Sequence, residues 1–381
     1  MTHTLLRSLR ERVAGARMPP PWFAELFGFR EGPSYTANRK RFAMSSDGWL
    51  ACDSAPEASG GRRMFVGPFE TPSLAELLSR CQGEGEGEGE GEEDGNGGDE
   101  GAGDEWSRGL RFEHLADPVG VVALIADPRN AGAVFQAASQ FNCLEMVGPG
   151  VSPSSGVTNY FNDPTQGPKC ALACPAGTIF RNYFAGPDDR GQGAVQIDCL
   201  ADVACVLSSP VAPAPWVMRN GYALPVDKSG IGDLGRRLVA DPALSRAAQL
   251  ALRVGVHWET SMRPPATHRI AQVYVSAMPV AYAKSVPSGE WAPLASVVLR
   301  GAYEATLAVA AVLSRRRGGA RVRVFLTCVG GGAFGNRPAW IVDAIGAALE
   351  AFKDAPLDVA LVHYGTVVQS AYSGLRVGAW G

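Results

Sequence analysis

The chain has 381 residues, 46% of them hydrophobic, enough to fill a sizeable core in one large or two ordinary domains, which excludes a wholly disordered or fibrous protein. Its formal net charge of −3 hides an asymmetry: eleven of the 38 acids fall between Glu84 and Glu105, leaving 35 basic against 27 acidic residues and a body near +8. That excess suits an anionic ligand. The eight cysteines are scattered without C-x-x-C spacing and read as reduced thiols, with no zinc site or redox dithiol signalled.

The opening MTHTLLRSLRERVAGARM interleaves Arg7, Arg10, Arg12 and Arg17 with Leu5, Leu6, Leu9 and Val13. It reads as a surface helix, with a transit peptide as the alternative, within an N-terminal extension over 1–40. No secretory leader is recognisable, and the apolar runs are broken short of membrane length by charge, glycine or proline. The expectation is an intracellular protein, cytoplasmic or nuclear, with no membrane partner.

GRRMFVGPFETPSLAELLSR predicts a short strand through Met64, Phe65 and Val66, then a helix from Pro72 with Thr71 or Ser73 as N-cap. The Gly/Glu segment from Gln82 to Glu105 can bury no apolar surface and is expected as a disordered acidic insertion within one domain over 41–381. DPVGVVALIA reads as a strand buried on both faces, and residues 128 to 141 as a turn feeding a short helix. From Val147 to about Pro187, Gly, Pro, Asn and Ser suggest long ordered loops of the kind that carry function.

AVQIDCLADVACVL suggests a strand and a short helix, and GDLGRRLVADPALSRAAQLALR one longer helix. VGVHWET and HRIAQVYVSAMPVAYA read as strands. A helix from about Glu290 to Arg316 precedes a strand over Val322 to Val329, a helix over Pro338 to Phe352 and a strand over Leu357 to His363. The last helix sets Ile341, Ile345, Ala348, Leu349 and Phe352 on one side, a buried stripe. Strands and helices in alternation indicate an α/β layered fold.

Between the last two strands lies VFLTCVGGGAFGN. Gly330, Gly331, Gly332 and Gly335 allow the backbone to approach a ligand closely, and a buried strand leading through such a turn into a helix aims N–H groups at an anion. The spacing is neither a P-loop nor a Rossmann fingerprint. Ala333 and Phe334 form the tip of the loop. Phe334 either packs on a sugar or base or plugs the core, and Asn336 offers hydrogen bonds.

VFLTCVGGGAFGN...WIVDAIGAALEAF...LDVALVHYG resembles the C-terminal half of macrodomains, in which a Gly-x-Phe-Gly loop binds the diphosphate and distal ribose of ADP-ribose. The resemblance implies a macrodomain-like α/β fold, with a mixed central sheet and helices on both faces. It also implies that Gly331, Gly332, Ala333, Phe334 and Gly335 surround the diphosphate and ribose, and that Tyr364 stacks near the adenine. Asn130, after VVALIA, stands in the place of a macrodomain asparagine that binds the distal ribose. The poly(ADP-ribose) glycohydrolase branch carries a glycine triplet and a Gln-Glu-Glu run in that region. This sequence has Gly132 alone, with Gln136, Gln140 and Glu145.

Hydrolysis of an ADP-ribosyl bond needs an acid for the leaving group or a carboxylate to activate water. Glu145, beside Gln140 and Asn142, is one candidate, and a strand-end or solvent-facing Glu145 is the alternative. Asp163, with Thr165 and Gln166 in NYFNDPTQGPKCA, is the other, and an Asx turn through Asp163 and Thr165 is its alternative. Arg181 would pair with a phosphate or sit on a helix face. No His/Cys/Asp cluster has metal-ligand spacing and no cofactor is expected.

The expected partner is ADP-ribose or an ADP-ribosylated macromolecule, with direct nucleic-acid binding not indicated. A non-catalytic reader of ADP-ribosylated protein or nucleic acid, or an interaction protein without a ligand, are the alternatives to a hydrolase.

Overall fold

The computed structural model describes residues 22–83, 109–117, 119–188, 190–209 and 211–376. The expected N-terminal helix and all of the acidic segment beyond Gly83 lie outside them. Helices α1 (Trp22–Phe27) and α2 (Tyr35–Arg39) lead to a small antiparallel sheet of β1 (Ala43–Met44), β2 (Trp49–Ala51) and β3 (Arg63–Phe65). There follow β4 (Phe69–Glu70), α3 (Leu74–Gln82), β5 (Arg111–Asp117), α4 (Val121–Ala126), β6 (Val134–Ala138), α5 (Gln166–Ala173), α6 (Pro175–Tyr183) and α7 (Ala201–Leu207). The hairpin β7 (Trp216–Arg219) and β8 (Tyr222–Pro225) precedes α8 (Gly230–Ala240), α9 (Pro242–Ala251), β9 (Gly255–Ser261) and β10 (Arg269–Val275). The chain ends through α10 (Ala292–Arg316), β11 (Val322–Leu326), α11 (Pro338–Ala351) and β12 (Leu357–Tyr364).

The central sheet is mixed, in the order β4-β9-β10-β6-β11-β12-β5. β10, β6, β11, β12 and β5 are parallel, while at one edge β9 pairs antiparallel with both β10 and β4, so that β9 is the one reversed strand of this sheet among the described residues. Two buried glutamines show that helices cover both faces. Gln136 on β6 donates to Thr306 of α10 at 2.8 Å, whereas Gln272 on β10 donates to the Cys170 carbonyl of α5 at 2.9 Å. Val273 is the residue in register with Gln136, so Gln272 points to the opposite face. This is the α/β layered architecture expected from the strand and helix alternation.

α10 is the core helix of one face, with Leu294, Val298, Ala302, Ala305 and Val309 wholly buried. By length and composition it is apolar enough to cross a membrane, and 78% of its apolar window is buried inside the protein. A second apolar cluster joins Trp22, Phe23, Phe27, Phe42 and Met64 to Ile179 and Tyr183 of α6. Residues 22–40, expected as part of an extension, are thus packed against the body.

Several local expectations are corrected. VVALIA is helix α4: it buries Val121 and Ile125, four apart, and leaves Val122 41% exposed. A six-residue apolar run has no period of its own that separates strand from helix. Residues 128 to 141 hold a 3₁₀ turn over Pro128–Asn130 and then strand β6, which the polar Gln136 concealed. The segment before α7 forms no strand, and the longer helix is two, since Asp241 caps α9 by accepting from the Leu244 N–H at 2.9 Å with Pro242 in its first turn. The loops of 147 to 187 contain α5 and α6. The helix expected from Pro72 starts at Leu74, where Ser73 and Glu76 form a capping box.

Candidate functional site

A cleft of about 200 Å³ opens at the carboxyl ends of β6, β10 and β11, which supply Ser139, Ala277 and the segment from Thr327 to Phe334. Ligands of open α/β sheets bind at this end. The cleft brings Glu145, Asp163, Gln140, Thr165 and Gln166 together with Gly330, Gly332, Ala333 and Phe334.

The glycine loop is partly closed on itself. The N–H of Gly331 bonds to Cys328 O, that of Gly335 to Gly332 O and that of Asn336 to Gly330 O. The amides of Gly332, Ala333 and Phe334 bond to none of the described residues, and Gly332 and Ala333 are exposed. Three consecutive amides that lack an internal acceptor are what an anion requires. Two glycines build the loop. Gly330 has φ +72°, and a Cβ there would stand 2.5 Å from that of Ala277; Gly335 has φ +71°. Asn336 turns inward, its amide donating to Met278 O at 2.8 Å and Gly330 O at 3.3 Å, so it fastens the loop and does not face the cleft. Phe334 is half-buried at the rim of the cleft, where it packs on Tyr222 and Tyr282, with ring centroids 5.4 and 5.6 Å away.

Glu145 projects from a tight turn after β6. The Cys143 N–H bonds to Gln140 O at 2.9 Å, the Leu144 N–H to the Asn142 side chain at 3.2 Å and the Met146 N–H to the Gln140 side chain at 2.8 Å, while Cys143 takes φ +60°. Gln140 and Asn142, expected as ligand groups, therefore shape the turn. Gln140 also lines the cleft, whereas Asn142 is wholly buried and bonded to Gln196. The Glu145 carboxyl is neither at a strand end nor solvent-facing. It is 1% exposed, and one of its oxygens has no hydrogen-bond partner among the described residues. Burial pushes its pKa up to about 8, against the pull of Arg181 and Ser139, with Asp163 adding to the rise.

Asp163 makes the Asx turn weighed for it. One carboxylate oxygen accepts from the Thr165 N–H at 2.9 Å and hydroxyl at 2.6 Å. Its segment is anchored from α1's side of the molecule by Glu31, which accepts from the N–H groups of Val157 and Thr158 at 2.9 and 2.6 Å. Gln166 spends its amide inside the protein, donating to Gln136 O at 2.7 Å and to the Cys170 sulfur at 3.1 Å and accepting from the Ala138 N–H at 2.9 Å, so it prolongs the β6 ladder while lining the cleft. Gln166-Gly167-Pro168 heads α5 without a carboxylate. A Cβ on Gly167 would stand 1.8 Å from Ala138 O and 2.5 Å from a Glu145 oxygen, so the bare glycine is what leaves room for that carboxyl.

Two expected residues stand elsewhere. Asn130 lies at the amino end of β6, bonded to Leu124 O at 2.8 Å and to Arg323 at 3.1 Å, because the run before it is a helix and not a strand. Tyr364 is 79% exposed outside the cleft, with the Lys169 ammonium 5.0 Å from its ring centroid. Gly331 and Gly335 also fall outside the lining. Asn130 borders a larger concavity of about 540 Å³ on the sheet face of β5, β11 and β12. There Arg111 and Arg129 face Asp358 and Asp127 at 3.9 and 2.5 Å, so its charge is internally matched.

Sequence reasoning missed Tyr222 and Tyr282, which come from the β7–β8 hairpin and the segment after β10. Arg181, weighed as a phosphate partner or a helix-face residue, is a wholly buried guanidinium beneath the Glu145 turn and outside the cleft lining. Among the described residues no group of three or more His, Cys, Asp or Glu is placed to hold a metal ion.

No protein-family model and no curated protein matches the chain. Among solved structures it is similar to the poly(ADP-ribose) glycohydrolase of Thermomonospora curvata, at 14% identity, with 89% of this chain and 97% of that one covered and a TM-score of 0.39. It is also similar to the poly(ADP-ribose) glycohydrolase of Deinococcus radiodurans in complex with ADP-ribose, at 12% identity, with 81% and 91% covered and a TM-score of 0.43. At such identities the role of each residue rests on the cleft itself.

Proposed function

We propose that the protein binds ADP-ribose or a related nucleotide diphosphate in this cleft and hydrolyses an ADP-ribosyl glycosidic bond. One observation carries the reading: the unbonded amides of Gly332 to Phe334 share a cleft with a buried carboxyl that holds its proton at neutral pH. The amides take the diphosphate. At about 200 Å³ the cleft accommodates a sugar phosphate, and the remainder of the nucleotide lies along the rim beside Phe334 and Tyr282.

Glu145, protonated at pH 7, gives its proton to the departing oxygen as the C–O bond breaks and the sugar gains oxocarbenium character. Asp163 keeps one carboxylate oxygen outside its Asx turn and orients the attacking water. The water's oxygen bonds to the anomeric carbon, and its proton passes to Asp163. A reader without turnover is the second reading, favoured by the Gln166-Gly167-Pro168 run that brings no carboxylate to the head of α5.

Titration calorimetry with ADP-ribose and a release assay on ADP-ribosylated protein test both. The parent should bind and release, and Glu145→Gln should bind alike while releasing about 10²-fold more slowly or worse. Binding with no release in the parent selects the reader. Absence of binding removes the reading altogether.

A further inference from the structure

Arg181 of α6 is wholly buried, and among the described residues no carboxylate comes within 4.0 Å of it. Guanidinium does not deprotonate inside proteins, and a buried charge without compensation costs several kcal/mol, so its neighbours must account for it. Three are close. Its Nε–H donates to Cys143 O at 2.9 Å, one Nη donates to the Thr178 hydroxyl at 3.2 Å, and the guanidinium lies 3.6 Å from the ring centroid of Tyr274 on β10. Among the described residues the remaining Nη1 has no hydrogen-bond partner, and neither has Oε1 of Glu145 two residues beyond Cys143.

We propose that Arg181 is the positioning residue of the Glu145 acid: it pins the turn through the Cys143 carbonyl and supplies, among the described residues, the cation that faces the carboxyl. The inference rests on the reading of Glu145 given above. Around that carboxyl stand Tyr160 from the 158–162 turn, Asp163, Cys170 from α5, Tyr222 from β8, Tyr274 from β10 and Arg181. Five of the six are neutral or anionic.

The arrangement resolves a conflict inherent in a buried acid. Burial keeps the proton on Glu145, but handing it to a leaving group would strand an anion in the interior. Arg181 compensates that anion at the moment it forms. The same cation also disfavours a charge on His257, whose imidazole is pushed well below its ordinary range by burial and by Arg181.

The test is a carbon-13 NMR titration of the Glu145 carboxyl in the full chain without ligand, assigned through Glu145→Gln. The parent, Arg181→Met and Arg181→Lys are compared, with Arg181→Gln in place of Met should Met not fold. The neutral variant should titrate about one pH unit or more above the parent, and Arg181→Lys should stay near it. In the release assay the rise of rate with falling pH should move by the same amount, with kcat falling more than KM changes. A neutral variant with the parent's midpoint overturns the proposal. The titration needs no turnover, so a parent that releases nothing refutes the hydrolase while the role of Arg181 is still decided.

Discussion

Replacing Glu145 by Gln should make the protein more stable at neutral pH. The folded carboxyl titrates at about 8 and an unfolded one at 4.5, so between those values the folded protein holds a proton that unfolding releases. A group raised in this way contributes fully below pH 4.5, and its contribution is lost as pH rises toward 8. The loss is about 1.4 kcal/mol per pH unit, or on the order of 3 kcal/mol by pH 7, an upper figure because solvent reaching the cleft would relieve part of it. Glutamine keeps the shape and cannot ionise when unfolded. Urea denaturation of parent and Glu145→Gln at pH 5, 6, 7 and 8 should therefore show curves that nearly coincide at pH 5 and separate steadily above it, the variant being the stronger. A difference that stays constant across that range would refute the buried, protonated carboxyl and with it the general acid.

Three further outcomes follow from the packing. Phe334→Ala should weaken ADP-ribose binding about tenfold or more by calorimetry while lowering the melting temperature little, since the ring is half-buried; the opposite balance would make Phe334 a core plug. Gly335→Ala should cost about 1–2 kcal/mol in urea denaturation and weaken ADP-ribose binding, because φ +71° disfavours a side chain and the new Cβ would stand 2.9 Å from that of Ala281. Gly167→Ala should cost about 1–3 kcal/mol and abolish release, its Cβ meeting Ala138 O and the Glu145 carboxyl; an active, stable variant would show that the head of α5 can shift.

The glycine loop was legible because its signal is local: apolar strand, glycines that need positive φ, then helix, all within one short stretch. Strand β6 was harder to read for a physical reason. Gln136 puts an amide at a buried position, where hydrogen bonds to Thr306 and from the Thr327 N–H at 3.1 Å satisfy it, and such partners are invisible in a one-dimensional pattern. The helical VVALIA was misread as a strand for the complementary reason, that six apolar residues carry no period. That one error moved Asn130 to the wrong end of the sheet.

Glu145 shows where the boundary of sequence reasoning lies. Its residue type and its neighbours Gln140 and Asn142 were in plain view, but the property that suits it to acid chemistry is assembled from four distant segments. Gly167 supplies the space, Tyr160 accepts its backbone N–H at 3.1 Å, Arg181 reaches in from α6 and Tyr222 holds Met146 O at 2.7 Å. Each of these is an ordinary structural contact alone. Together they bury a carboxyl beside exposed, unbonded amides, a combination that lowers stability above pH 5 and that a purely structural turn would have no reason to keep.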